Sequence, residues 1–98
     1  MEVCFSAQAE QDLYEIWRYI AEDRPASADR VAERIVERSN SLAQFPHQGR
    51  LRPEFGKGVR SIVIERWLVL YRVETESVFV GRIIDGARHL GRIRVPRA

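Results

Sequence analysis

The chain has 98 residues and a mass of 11.4 kDa, enough for one domain with a single core. A hydrophobic fraction of 45% and a charged fraction of 31% exclude a disordered or fibrous protein. The net charge of +2 hides a split, −4 over residues 1–49 against +6 over residues 50–98, and a basic half of this size suits an anionic partner.

Val3 to Phe5 reads as a short first strand. Ser6 follows as an N-cap, its hydroxyl placed to accept an orphan amide N–H of the next turn. Ala9, Leu13, Ile16, Trp17 and Ile20 then recur at helical spacing, predicting a helix over residues 7–23. Pro25 disfavours helical geometry in the residue before it and suits the first position of a second helix, predicted over 25–45. Its apolar positions are Ala28, Val31, Ala32, Ile35, Leu42 and Ala43, and its acids and arginines form exposed i, i+4 stripes. So short a link requires an antiparallel hairpin.

Residues 46–58 are punctuated by Pro46, Gly49, Pro53, Gly56 and Gly58 and read as a polar, basic loop. Three strands follow, predicted over 59–64, 67–74 and 78–85, with links that only hairpins can make. Trp67, Val69, Tyr71 and Val73 share one face of the middle strand; Leu68, Leu70 and Arg72 share the other. The basic tail from about residue 86 is expected to be irregular or loosely docked. The whole chain, 1–98, is therefore predicted to be one two-layer α+β domain, with a helical hairpin on a mainly antiparallel sheet. The first strand is expected beside the last. One sheet face is expected to remain uncovered and to call for a protein partner.

One cysteine, Cys4, excludes an internal disulfide and a cysteine-rich zinc site, and it reads as a small apolar residue. His47 and His89 lack ligand spacing, so neither a metal nor a cofactor is expected. No phosphate-binding loop, hydrolase elbow or zinc-protease helix is present. No apolar run reaches the roughly 18–20 residues of a membrane span, and the N-terminus does not resemble a signal peptide, so a cytoplasmic protein without membrane contact is expected. The remaining constellation is Arg60, Arg72, Arg82, Arg88 and His89, with Arg50, Arg52 and Lys57 on the preceding loop. Guanidinium forks suit phosphate or carboxylate, and an imidazole beside them suits acid–base chemistry. The alternative reading is that these residues are ion-pair partners of acids on the helices and plain surface charges.

Taken in order, several segments resemble one family. They are Ala9…Asp12-Leu13…Ile16…Tyr19-Ile20, then Leu42 to Arg50, Gly58-Val59-Arg60, Leu70 to Val73, and Ile83 to Leu90. This set is similar to the toxins of the RelE/ParE superfamily of bacterial toxin–antitoxin modules. The chain keeps the P-x-x-G-R turn (Pro46 to Arg50) and the Y-R-V strand (Tyr71 to Val73) typical of the ParE branch. At the H-G-A-R-D ending it has Asp85 and His89 in place of the usual His and Asp.

The resemblance implies a toxin neutralised by a cognate antitoxin in a hetero-oligomer. It implies as target DNA gyrase, poisoned by binding rather than by enzymatic attack, through Arg82, Arg88 and His89. The alternative is a ribosome-dependent mRNA endonuclease using Arg88, His89 and Arg60. The second predicted strand, Ser61 to Ile64, carries no lysine, and the matching position near Leu68 is apolar, which favours the gyrase reading. The antitoxin is expected to cover Trp17, Ile20 and Trp67 and to meet Arg60 and Arg72 with its acids. A reading from another class, a basic nucleic-acid-binding domain, requires stacking aromatics such as Trp67 and Tyr71 beside the arginines.

Overall fold

The computed structural model describes residues 1–87 and 93–97. In chain order the elements are β1 (Glu2–Phe5), α1 (Ala7–Ala21), α2 (Pro25–Asn40), β2 (Arg50–Leu51), β3 (Arg60–Ile64), β4 (Trp67–Val73) and β5 (Ser77–Asp85). Short 3-10 turns cover Ser41–Ala43 and Pro53–Phe55. The sheet order is β1-β5-β4-β3-β2, with β1 parallel to β5 and every other pair antiparallel. The two-layer α+β expectation and the placing of the first strand beside the last both hold.

Local chemistry explains both helix starts. Ser6 Oγ accepts the Ala9 N–H at 2.9 Å and donates to Gly81 O at 2.8 Å, so one hydroxyl caps α1 and ties it to β5. Pro25 opens α2 at a position where an amide N–H would have no partner anyway. Both helices are shorter than predicted. The chain from Ser41 tightens into a 3-10 turn instead of continuing α2 to residue 45.

The main core lies between the hairpin and the sheet. Ile16, Ile20, Val31 and Ile35 meet Ile62, Trp67, Val69 and Tyr71 there. The central strand β4 is buried from Trp67 to Arg72. Along β5, Val78 and Val80 face this core and so does Ile83, a step of three that a regular strand cannot make. The pairing explains it. Tyr71 lies opposite Val80 and Leu70 opposite Arg82, so Gly81 is an extra residue that shifts the alternation.

The expectation of an uncovered sheet face is corrected by a second core. Leu68, Leu70 and Ile84 are covered by Phe55 and Val59 from the loop before β3 and by Val95 from the C-terminal segment. Residues 93–97 form neither helix nor strand, yet Val95 is buried, so this part of the tail is docked and not loose. Val95 sits where a side chain at position 81 would stand. Gly81 therefore serves two ends, the bulge in β5 and the seat for the tail. The predicted loop 46–58 also holds more structure than expected. Arg50–Leu51 pairs with Ser61 and Arg60 as an edge strand, and Pro53–Phe55 forms a turn that delivers Phe55 to the second core.

Candidate interaction site

Three arginines of the predicted constellation, Arg60, Arg72 and Arg82, are held by internal partners. Arg82 makes a forked pair with Asp12 of α1, Nε to Oδ2 at 2.8 Å and Nη2 to Oδ1 at 3.1 Å. Asp12 Oδ2 also accepts the Ile83 N–H at 2.9 Å. The reason lies in the sheet. β1 ends at Phe5, opposite Val80, so the next stretch of β5 has no strand beside it on that side. The Asp12 carboxylate takes the place of the missing strand for one backbone donor, and Arg82 balances its charge.

Arg72 is buried and, among the described residues, bonds to carbonyls: Nε to Lys57 O at 3.1 Å, and Nη1 to Val95 O at 3.1 Å and Pro96 O at 2.9 Å. Burial lowers its pKa below the ordinary arginine value, and the charge of Arg97 adds to this. It is a cationic hub joining the loop before β3 to the tail.

Arg60 Nη1 donates to Gly49 O at 2.7 Å and to His47 O at 3.4 Å. The same turn is held from below by Tyr71, which is fully buried. Its hydroxyl donates to Pro46 O at 2.7 Å and accepts the Gly49 N–H at 2.9 Å. A Cβ on Gly49 would come within 2.5 Å of that hydroxyl and 2.8 Å of Ser61 O, so only glycine fits. The P-x-x-G-R turn and the Y-R-V strand thus meet in space, strand latching turn. Burial raises the Tyr71 pKa above the ordinary phenol value, which keeps the donated proton in place at neutral pH. Tyr71→Phe strands the Gly49 N–H and frees Pro46 O. It is expected to cost about 1–3 kcal/mol in denaturant unfolding with little change in m-value.

The apolar residues assigned to the antitoxin divide. Ile20 and Trp67 belong to the core, at 8% and 6% exposure, and present little surface; their assignment as open surface is corrected. Trp17 is 36% exposed. Its ring stacks on Tyr14 with centroids 6.3 Å apart, and its Nε1 donates to Asp29 of α2 at 2.7 Å. It forms a fixed aromatic ridge on the outer face of the hairpin. A groove of about 400 Å³ runs between α1 and the far end of β5, lined by Asp12, Glu15, Ile16, Tyr19 and Arg82 among others. Arg88 and His89 lie outside the described residues. Among the described residues no cluster of three metal-ligating side chains occurs, and no helix is long and apolar enough to cross a membrane.

Sequence reasoning missed Asp12, an acid on the buried face of α1, and the structural use of Tyr71 and Gly49. Asp12 gave a faint signal, since it falls three residues after Ala9 and four before Ile16, on the apolar stripe.

Comparison with known proteins agrees with this architecture. Residues 3–90 match the family described as ParE toxin of type II toxin–antitoxin system, parDE. The chain is 34% identical over 80 residues to Toxin ParE3 of Caulobacter vibrioides, covering 81% of this chain and 80% of that one. It is 31% identical over 87 residues to Toxin RelE2 of the same organism, covering 89% and 97%. Among solved structures it resembles a chain of the chromosomal ParDE system of P. aeruginosa, with a TM-score of 0.77 and 27% identity, over 87% of this chain and 95% of that one. A chain of the RelBE2 toxin–antitoxin complex of Mycobacterium tuberculosis gives 0.64 and 26%, over 86% and 95%.

Proposed function

The chain belongs to the ParE toxin family of type II toxin–antitoxin systems, and from that premise we propose that it arrests growth by binding and poisoning DNA gyrase. The observation that carries this reading is the use made of the sheet arginines. Arg60, Arg72 and Arg82 are each spent on carbonyls or on Asp12. A ribonuclease needs free cations and an acid–base pair around the scissile phosphate, and removing such stabilisation costs several kcal/mol of rate. A binding poison needs only a matching surface.

Arg88 is the residue proposed to engage gyrase or the DNA phosphate it holds, with His89 beside it. Lysine there would not reproduce the guanidinium fork. The antitoxin is proposed to be a segment that folds on binding and lies along α1, covering the Tyr14–Trp17 ridge. Structural likeness to the ParDE and RelBE2 systems supports a partner of this kind.

Inducible expression without the antitoxin tests the reading. Wild-type protein is expected to arrest growth with DNA damage, and Arg88→Ala to abolish the arrest while still binding antitoxin. His89→Ala is expected to have a small effect. Likeness to RelE2 favours one alternative, mRNA cleavage on the ribosome by Arg88, His89 and Arg60. Loss of toxicity in His89→Ala, together with cut mRNA from purified ribosomes, would install that alternative.

A further inference from the structure

The most exposed large apolar side chain among the described residues is Phe45, at 64%. It stands on the turn latched by Tyr71, between Ala43 and Gly49, and the turn is unusually well tied. The Phe45 N–H donates to Ser41 O, and the backbone and side-chain N–H groups of Gln48 both donate to Phe45 O, each at 3.2 Å. The Tyr71 hydroxyl and Arg60 hold Pro46 and Gly49 from the sheet side. A fully buried tyrosine on the central strand thus spends both hydrogen bonds of its hydroxyl on a surface turn. Phe45 itself adds nothing to either core.

An exposed aromatic on a rigid backbone has already given up much of the entropy that binding would cost. Such side chains are the usual anchors of protein interfaces. The flanking residues His47 and Arg50 are exposed, and neither makes an ion pair within 4 Å among the described residues, although the Glu54 carboxylate lies within the field of Arg50. The exposed Arg50 guanidinium therefore favours an acidic rim around whatever receives the ring. Shape selects the kind of partner. A rigid protruding ring is received at least cost by the preformed pocket of a folded protein, because a segment that folds on binding must first order itself to build one.

We propose that Phe45, flanked by Arg50, is the anchor by which this protein enters an acid-rimmed apolar pocket on the folded protein it attacks. The inference rests on the gyrase reading above and adds a contact site to it.

The test measures binding of the full chain to purified, DNA-bound gyrase and to its antitoxin by surface plasmon resonance. Phe45→Ala is expected to weaken gyrase binding at least tenfold and to raise the expression needed for growth arrest. Antitoxin binding and the thermal transition should stay as in wild type, because the ring is exposed. Val63→Ala, at another exposed apolar position, is the control and should change gyrase binding less than twofold. Arg50→Glu should weaken gyrase binding and flatten its salt dependence. Unchanged gyrase binding by Phe45→Ala overturns this inference alone. So does a loss confined to the antitoxin, which would make the turn an antitoxin contact. Wild-type protein that fails to bind gyrase overturns the gyrase reading and this inference together.

Discussion

Asp12→Ala is expected to lower the unfolding free energy by about 3–5 kcal/mol, the usual cost of removing one partner from a buried ion pair. The side chains of Asp12 and Arg82 are only 9% and 22% exposed, so water screens little of the loss. Alanine removes both acceptors of the fork and strands the Ile83 N–H at the edge of β5. For a domain of this size the loss lowers the melting temperature by roughly 10 °C or more. Asp12→Asn keeps one oxygen for the Ile83 N–H and should lose less. The double variant Asp12→Ala, Arg82→Met should be more stable than Asp12→Ala alone, because no unpaired charge remains. Urea unfolding of wild type, Asp12→Ala, Arg82→Met and the double variant gives the coupling. A drop below about 1 kcal/mol for Asp12→Ala would place the pair in the class of surface salt bridges and refute its structural role.

Arg72→Ala carries the second large effect. The guanidinium is the common donor to Lys57, Val95 and Pro96, and each carbonyl loses a charge-assisted bond. Bonds to a charged group are worth about 1.5–3 kcal/mol each, but part is returned because the cation itself no longer needs burying, so a net loss near 3 kcal/mol is expected. The loss should be local. Hydrogen exchange should accelerate first at the Val95 amide and in residues 56–59, while the α1–α2 hairpin keeps its protection. Arg72→Lys should recover little, since a single ammonium cannot reach two elements as a planar fork does. Uniform acceleration across the whole chain would show that Arg72 supports global stability and not the docking of the tail.

The hairpin and the meander were legible in the sequence because their signals are local. Ser6, Pro25 and the three- and four-residue steps of Ala9, Ile16 and Ile20 act within a turn or two of helix. The alternation of Trp67, Val69 and Tyr71 acts within one strand. The features missed depend on distant neighbours. Position 81 lies at a bulge in β5 and has no room for a side chain because Val95 occupies the space beside it. Asp12 turns inward because β1 stops at Phe5 and leaves a backbone donor without a strand. The second core needs residues 93–97 to return across the sheet, and no pattern in Ile93 to Arg97 announces that. The arginines show the same limit. A guanidinium that holds carbonyls and one that binds a partner have the same letter, and only the surroundings of Arg60, Arg72 and Arg82 distinguish them. Arg88 and His89, the residues on which the resemblance places toxicity, remain assigned from sequence.

The parallel pairing of β1 with β5 has a consequence for biosynthesis. Among the described residues Glu2 to Phe5 find their strand partners only at Ser77 to Val80, and Ser6 fastens α1 to Val80 and Gly81. The ribosome delivers β1 and both helices before β5, so β1 must wait for about 70 further residues before its partner in the sheet exists. A nascent chain stalled before β5 therefore lacks Val78, Val80 and Ile83 from the main core. The hairpin therefore cannot complete its core until β5 has been made, and a chain cut before Ser77 is expected to lack the cooperative unfolding of the longer one.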